Sequence, residues 1–165
     1  MSFVSIIMGS SSDFEVVEHC AKTLEEFGVK YEILVSSAHR SPERTKNYIK
    51  DAESRGSKVF VCAAGMAAHL AGAVAATTTK PVIGIPLKGG ALDGLDALLS
   101  TVQMPSGMPV GTVALGKAGA INAAYLAVQI LALSDESLAK KLKEDRASKE
   151  AKLIEESKKI EKFQE

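Results

Sequence analysis

The chain has 165 residues and a mass of 17.4 kDa, which fits one ordinary domain and is too short for two independent hydrophobic cores. Twenty basic and twenty acidic residues cancel to zero formal charge, which argues against non-specific binding to nucleic acid or to an anionic membrane. Hydrophobic residues make up 46% of the chain but aromatic residues only 5%, which predicts a core of small aliphatic side chains. We expect a single domain over residues 1–165.

Two cysteines, Cys20 and Cys62, lie in segments with helical and strand patterns and lack the clustering of a metal site or a disulfide framework. We interpret both as small buried hydrophobic residues, which favours a reduced, cytoplasmic setting. The longest nearly uncharged helical stretch, Ala118–Leu133, is shorter than the ~20 residues that a membrane-spanning helix needs. No basic region precedes the first apolar run, so we expect no targeting or transmembrane segment.

The first predicted strand is Phe3–Met8, a short apolar run that Gly9 ends. A serine-rich loop follows, and Ser12 with Glu15 three residues later is typical of a capping box at the start of a helix. Apolar side chains recur at helical spacing until Gly28, which predicts the end of that helix. The chain therefore begins with a strand, a loop and a helix.

The same cycle repeats along the chain. Tyr31–Val35 has a strand pattern, and Ser41 with Pro42 predicts the N-cap and first turn of a helix that runs toward Gly56. The other predicted elements are strands Val59–Ala63, Pro81–Ile85 and Val110–Leu115, a small-residue helix after His69, and helices Leu92–Leu99 and Ala120–Leu133. Alternating strands and helices predict parallel βαβ crossovers, and therefore an α/β fold with helices on both faces of a parallel sheet.

The composition changes at Ser134. Nine acidic and nine basic residues fall within 135–165 without proline or glycine, which predicts a long charged C-terminal helix over 134–165. A sparse apolar stripe favours packing of this helix on a neighbouring subunit. The stripe is Leu138, Leu142, Leu153, Ile154 and Ile160. Residues 59–134 hold only five charged side chains, which is few for the surface of a small monomer, so we expect an oligomer with a buried central interface.

Ligands of doubly wound sheets bind beyond the carboxyl ends of the strands, near the point where the strand order reverses. The loop after the first strand, Gly9–Asp13, combines serine hydroxyls with the amides of a helix N-terminus, which suits a phosphate or another anion. Asp13 would repel a phosphate placed beside it, so the hydroxyls of a ribose are better partners for its carboxylate. An ordinary capped helix start explains this loop equally well.

The loops after the second and third strands contribute acid–base groups. His39 and Arg40 stand side by side, where an imidazole can move protons near neutral pH and a guanidinium can hold a phosphate. Gly65 allows close approach to a flat ligand, and His69 adds a second imidazole. A solvated surface His–Arg pair and a hydrogen-bonded structural His69 are the alternatives. No His or Cys cluster has metal-ligand spacing, so we expect no metal.

Five motifs occur in order and together carry a resemblance to a known family. They are Met8–Asp13 (MGSSSD), Ser37–Pro42 (SAHRSP), Ala67–Leu70 (AAHL), Val102–Pro105 (VQMP) and Gly116–Gly119 (GKAG). The chain resembles the bacterial class I N5-carboxyaminoimidazole ribonucleotide mutases of de novo purine synthesis, also called catalytic subunits of phosphoribosylaminoimidazole carboxylase. The resemblance covers essentially the whole chain apart from the C-terminal tail, and several ordered motifs make it specific.

The resemblance implies a flavodoxin-like fold, a homo-octamer with sites at subunit junctions, and an isomerase without a cofactor. Such an enzyme moves a carboxyl group from the exocyclic nitrogen of an aminoimidazole ribonucleotide to carbon 4 of the ring. In that case His39 is the proton shuttle and Asp13 binds the ribose hydroxyls. The implied phosphate ligands are Ser10, Ser12, Ser37 and Arg40, and the implied base and carboxylate pocket is Ala64, Gly65, His69 and Leu70.

Two positions depart from the pattern of the family. Met66 stands where a glycine is common and Ala71 where a proline is common, which puts the backbone conformation around Gly65 in question. A related branch carboxylates the aminoimidazole directly, has lysine in place of Arg40 and lacks the AAHL run. Arg40 and Ala67–Leu70 therefore favour the mutase over the carboxylase.

Two other classes of protein share some of these features. Flavin-binding electron carriers also hold a phosphate in a hydroxyl-rich loop after the first strand of such a sheet. The chain has no tryptophan and three tyrosines, so few rings are available to stack on an isoalloxazine. A non-catalytic nucleotide-binding or assembly module is the second alternative, motivated by the charged C-terminal helix and the apolar centre.

Overall fold

The computed structural model describes residues 2–163 and contains a five-stranded parallel sheet. The strands are β1 (Phe3–Met8), β2 (Tyr31–Val35), β3 (Ser57–Gly65), β4 (Val82–Leu87) and β5 (Gly111–Thr112). The helices are α1 (Phe14–Phe27), α2 (Pro42–Arg55), α3 (Leu70–Ala75), α4 (Leu95–Val102), α5 (Gly116–Ala132) and α6 (Glu136–Lys158). None of the helices within residues 2–163 is both long and apolar enough to cross a membrane.

The spatial order of the strands is β2-β1-β3-β4-β5, and each neighbouring pair is parallel. This is the flavodoxin-like order, in which the winding direction reverses between β1 and β3. The predicted parallel α/β architecture is therefore confirmed. The reversal leaves a crevice at the carboxyl ends of β1 and β3, which is where the candidate site lies.

Helices cover both faces of the sheet and form two hydrophobic cores. Strand β1 contributes side chains to both cores, because successive side chains of a strand point to opposite faces of the sheet. Val4 and Ile6 face the core made with α1 and α5, whereas Phe3 and Ile7 face the core made with α2 and α3. The predicted three-layer arrangement is thus confirmed, and the cores consist largely of Val, Ile, Leu and Ala.

The first helix does not begin with the predicted capping box at Ser12 and Glu15. Residues Ser11–Asp13 form a short 3-10 turn, and α1 starts only at Phe14. The hydroxyl oxygen of Ser10 accepts hydrogen bonds from the Ser12 amide at 3.3 Å and from the Ser12 hydroxyl at 2.9 Å. Because Ser10 caps the turn and occupies the Ser12 hydroxyl, Ser12 does not cap the α-helix.

Several element boundaries also differ from the prediction. Strand β5 is limited to Gly111–Thr112 instead of Val110–Leu115, because it pairs only with β4 at the edge of the sheet. Helix α5 begins at Gly116 rather than at Ala120. Helix α4 begins at Leu95, because Asp93 and Gly94 both adopt left-handed backbone conformations that a helix cannot include.

The charged C-terminal helix is present but shorter than predicted. Helix α6 spans Glu136–Lys158, residues 159–163 follow it without helical structure, and residues 164–165 lie outside the described part of the chain. Leu138 and Leu142 pack against the α1–α5 core. Leu153 and Ile154 are exposed by 67% and 49%, so the second half of the predicted apolar stripe has no partner within residues 2–163.

Helix α5 packs closely against the segment that leads into it, and Gly119 lies at that contact. A Cβ atom on Gly119 would lie 1.6 Å from the carbonyl oxygen of Ala114, which is backbone and cannot rotate away. We therefore expect Gly119→Ala to destabilise the protein by about 3 kcal/mol, the upper end for overpacking, as measured by urea unfolding.

Gly111→Ala is the matched control, because the nearest atom to its added Cβ would be Leu126 Cδ2 at an ordinary 3.5 Å. We expect that variant to change the free energy of unfolding by less than about 1 kcal/mol. Equal destabilisation by the two variants would contradict the close packing of α5.

Candidate active site

A cleft of about 610 Å³ lies at the carboxyl ends of β1, β2, β3 and β4. All of the site residues predicted from the sequence line this cleft: Ser10, Ser12, Asp13, Ser37, His39, Arg40, Ala64, Gly65, His69 and Leu70. They come from three separate loops, which the parallel sheet brings to a single edge. The volume of the cleft is within the usual range for sites that bind small molecules.

The loop after β1 provides one wall of the cleft. Its serine hydroxyls face solvent near Asp13, the residue that precedes α1. Burial raises the pKa of the Asp13 carboxyl, and a backbone hydrogen bond from Ser10 and the positive charge of Arg40 oppose that effect. A partly buried carboxylate of this kind can accept hydrogen bonds from ligand hydroxyls.

The loop after β2 is joined to the first loop by Arg40. Its guanidinium Nη2 donates a hydrogen bond to the Gly9 carbonyl oxygen at 2.9 Å, and its amide donates to Ser37 Oγ at 3.1 Å. Ser41 occupies the predicted N-cap position of α2, and Pro42 follows in the first turn. The Ser41 hydroxyl oxygen accepts a hydrogen bond from the Ser37 amide at 3.0 Å, so its side chain ties the loop together and does not bond to the helix amides. The other N–H groups of the exposed Arg40 side chain can bind an anion between the two loops.

The two histidines of the cleft are in direct contact. His39 Nε2 and His69 Nδ1 are 2.7 Å apart, and their rings meet edge to face at 88° with centroids 4.9 Å apart. One of the two nitrogens must carry the shared proton, so protonation of one ring is linked to the tautomer of the other. Both side chains are exposed to the cleft, where a ligand can reach them. The sequence suggested each imidazole separately but not this contact.

The loop after β3 is held in place by helix α4. The amide of Ala68 donates a hydrogen bond to Ser100 Oγ at 2.9 Å, and the His69 amide donates to the Ala67 carbonyl at 2.8 Å. Met66 adopts a left-handed conformation with φ of +51°. The sequence did not indicate Ser100, because it lies within a helix and 32 residues from its partner.

A fourth loop, after β4, also lines the cleft through Lys88, Gly89 and Gly90. No motif in the sequence pointed to these residues. Their signal was nevertheless present, since β4 is parallel to β3 and its carboxyl end must lie at the same edge. Lys88 adds a positive charge that forms a 3.2 Å ion pair with Asp93.

The two cysteines are free and buried, and the prediction that both are small buried residues is confirmed. Burial raises the pKa of the Cys20 thiol to about 12 and also raises that of Cys62. Neither thiol is therefore suited to act as a nucleophile. Within residues 2–163, no three His, Cys, Asp or Glu side chains are close enough together to hold a metal ion.

A second cavity of about 660 Å³ opens at the opposite edge of the sheet, between the strand amino ends and the start of α6. Lysine side chains and Asp135 line it, and it contains no histidine. Because it lacks a group that exchanges protons near neutral pH, the cleft at the carboxyl ends is the better candidate for a catalytic site.

Ser100 links α4 to the loop that carries His69, so we expect Ser100→Ala to loosen that loop. The Ala68 amide would lose its partner, at a cost of about 1 kcal/mol in the free energy of unfolding. Hydrogen exchange measured by mass spectrometry should become faster in residues 66–70.

Ser54→Ala is the matched control, because Ser54 is exposed and its Oγ donates to the Asp51 carbonyl within α2. Exchange in residues 66–70 should be unchanged in that variant. Unchanged exchange in Ser100→Ala as well would mean that α4 does not hold the loop.

The motifs and the cleft agree with the comparisons to known proteins. The family model described as AIR carboxylase matches residues 3–152. The N5-carboxyaminoimidazole ribonucleotide mutase of Bacillus subtilis is 52% identical over 154 residues, which cover 93% of this chain and 95% of that protein. The corresponding mutase of Pyrococcus horikoshii is 51% identical over 158 residues, covering 96% and 88%.

A solved structure agrees with the same assignment. The crystal structure of Treponema denticola PurE superposes with a TM-score of 0.89 at 32% identity and covers 98% of this chain and all of that one. The resemblance noted in the sequence is thus confirmed, and the chain belongs to the AIR carboxylase family.

Proposed function

We propose that this chain converts N5-carboxyaminoimidazole ribonucleotide into 4-carboxy-5-aminoimidazole ribonucleotide, an isomerisation in purine biosynthesis. Relatives whose sequences are 51–53% identical to this chain over most of its length are named for this mutase activity. The observation that carries the proposal is the single cleft that combines Arg40, Asp13 and the His39–His69 pair. These groups match the phosphate, the ribose and the reacting carbons of such a substrate.

The phosphate end of the substrate is assigned to the first two loops. Arg40 connects them through Gly9 and offers further N–H donors. The hydroxyls of Ser10, Ser12 and Ser37 lie in the same part of the cleft. Charge-assisted hydrogen bonds from a guanidinium, supported by hydroxyls, are well suited to a phosphate.

The ribose and the base follow along the cleft. The carboxylate of Asp13 accepts hydrogen bonds from the ribose hydroxyls. In this position the carboxylate is separated from the phosphate, whose negative charge would repel it. Ala64, Gly65 and Leu70 form a wall with little side-chain bulk, so a flat imidazole ring can lie against the backbone. This placement brings the carboxylated end of the substrate toward His39 and His69.

The reaction breaks one carbon–nitrogen bond and forms one carbon–carbon bond. Loss of the N-carboxylate as carbon dioxide leaves its bonding electrons on the exocyclic nitrogen, and protonated His39 gives that nitrogen a proton. Carbon 4 of the resulting aminoimidazole then attacks carbon dioxide, and His39 takes the proton that carbon 4 releases. Protons and electrons balance over the cycle, and an imidazole works in both directions near neutral pH.

Of the adjacent side chains of His39 and Arg40, only the imidazole is suited to that exchange. A guanidinium does not exchange protons near neutral pH, so Arg40 is better suited to bind the phosphate. His69 contacts His39 at 2.7 Å and can hold the imidazole in one orientation while the substrate changes. Keeping the reacting carbons and carbon dioxide in contact inside a small cleft raises their effective concentration.

Replacing His39 tests the proton transfer directly. We expect His39→Asn to lower kcat for N5-carboxyaminoimidazole ribonucleotide by about 10²–10⁴-fold, the usual contribution of a general acid–base group. His19→Asn is the matched control, because His19 lies on α1 and outside the cleft. Turnover is followed as the appearance of the product at low bicarbonate.

The same assay separates the competing functions. Turnover of aminoimidazole ribonucleotide with bicarbonate alone would identify a direct carboxylase and contradict the mutase. Full activity in His39→Asn would contradict the proton shuttle, and the absence of either reaction in the wild type would favour a non-catalytic binding module. A yellow purified protein would point instead to a flavin carrier.

The proposal also includes a homo-octamer, in which neighbouring subunits cover apolar surface that is exposed in the single chain. Helix α4 and the segment before it present Leu92, Leu95, Leu99 and Val102 at helical spacing, each exposed by 48–58%. Leu153 and Ile154 add apolar surface on α6. Contiguous exposed apolar residues on a small chain are typical of a protein–protein interface.

Sedimentation velocity of the wild-type chain tests this part of the proposal. We expect one species with the mass of eight 17.4 kDa chains. Leu95→Lys with Leu99→Lys should shift the distribution to smaller species, because burying two ammonium groups in an apolar interface is strongly unfavourable. A wild-type species with the mass of one chain would contradict the octamer.

A further inference from the structure

Met66 holds a backbone conformation that disfavours its own side chain. Its φ of +51° lies in the left-handed region, where a Cβ atom crowds the following carbonyl and glycine is preferred. The side chain is 59% exposed, so hydrophobic burial within the chain does not explain a methionine at this position. A strained residue at a ligand cleft points to a contribution made there.

The Met66 side chain joins two walls of the cleft. Its Cγ and Sδ atoms lie 3.4 Å from the position that a Cβ on Gly90 would take, so the thioether reaches across to the loop after β4. Met66 and Gly90 both line the cleft. The side chain therefore spans the gap between the loop after β3 and the loop after β4.

The backbone around Met66 is held from the other side by α4. Ser100 Oγ lies 3.4 Å from the Met66 carbonyl oxygen and accepts a hydrogen bond from the Ala68 amide at 2.9 Å. The His69 amide closes a tight turn onto Ala67. These contacts keep the strained residue in place three positions before the second histidine.

We propose that Met66 is a positioning residue that closes the cleft and retains carbon dioxide beside carbon 4 of the ring. This inference rests on the proposed mutase activity, in which carbon dioxide is released and then recaptured. A thioether is apolar and flexible, so it can pack against a small apolar molecule and exclude water from the gap between the loops.

Retention of the carboxyl carbon measures this role. The substrate carries ¹³C in its carboxyl group and reacts in buffer with unlabelled bicarbonate, and the label in the product is determined by mass spectrometry. We expect the wild type to keep most of the label and Met66→Gly to lose several-fold more. Met66→Leu should behave like the wild type, because it restores an apolar wall of similar size.

Stability separates this role from unfolding. Met66→Gly removes the left-handed strain, so its Tm should rise by about 2–4 °C while its retention of the label falls. Met108→Gly is the control, because Met108 lines a different cavity and should not alter retention. A gain in stability combined with a loss of retention is not the result of a merely structural role.

The outcomes distinguish this inference from the function on which it rests. A wild type that does not convert the carboxylated substrate contradicts the mutase itself. A wild type that converts it while Met66→Gly retains as much label contradicts the role of Met66. Loss of label from Met66→Leu equal to that from Met66→Gly would also overturn the apolar wall.

Discussion

The geometry of the site depends on one constraint, which is that the carboxyl ends of parallel strands meet at a single edge of the sheet. Four loops that are separated along the chain therefore converge, although none of them alone forms a pocket. The reversal of winding between β1 and β3 then leaves space between the helices on the two faces. Among residues 2–163 no helix crosses this space, and the two hydrophobic cores below it keep the strand ends in register.

The convergence of the loops does not by itself determine where their side chains lie. Those positions are determined by contacts between the loops. Arg40 reaches the Gly9 carbonyl, His39 contacts His69, and the Ala68 amide binds Ser100 on α4. Each contact joins residues at least 30 positions apart. The cleft is consequently arranged by long-range hydrogen bonds on top of a rigid sheet, an arrangement in which a small shift of one loop changes the surroundings of the others.

The sequence was sufficient for the fold and for the three cleft loops after β1, β2 and β3, because hydrophobic periodicity and helix-ending residues are local signals that show where each strand ends. The sequence was insufficient where two neighbouring residues are equally suited to cap the same helix start. Ser10 and Ser12 can each act as a cap, and only the path of the chain into the 3-10 turn selects Ser10. It was also insufficient where a partner is distant, as for Ser100. The loop at Lys88 was missed because its sequence contains no histidine or hydroxyl, although the predicted parallel sheet already implied that the carboxyl end of β4 lies at the same edge.

The distribution of left-handed residues separates backbone requirements from side-chain requirements. Gly28 and Gly56 end α1 and α2 with φ of +72° and +106°, and at those positions only the backbone matters. Near the cleft Met66 and Asp93 hold the same conformation. The Met66 side chain reaches the loop after β4, and the Asp93 side chain forms an ion pair with Lys88 within its own loop. Glycine would relieve the strain at both positions but would remove the thioether contact to Gly90 and the ion pair of Asp93. The strain at Met66 and Asp93 is therefore accompanied by a side-chain contact, which distinguishes these two positions from Gly28 and Gly56.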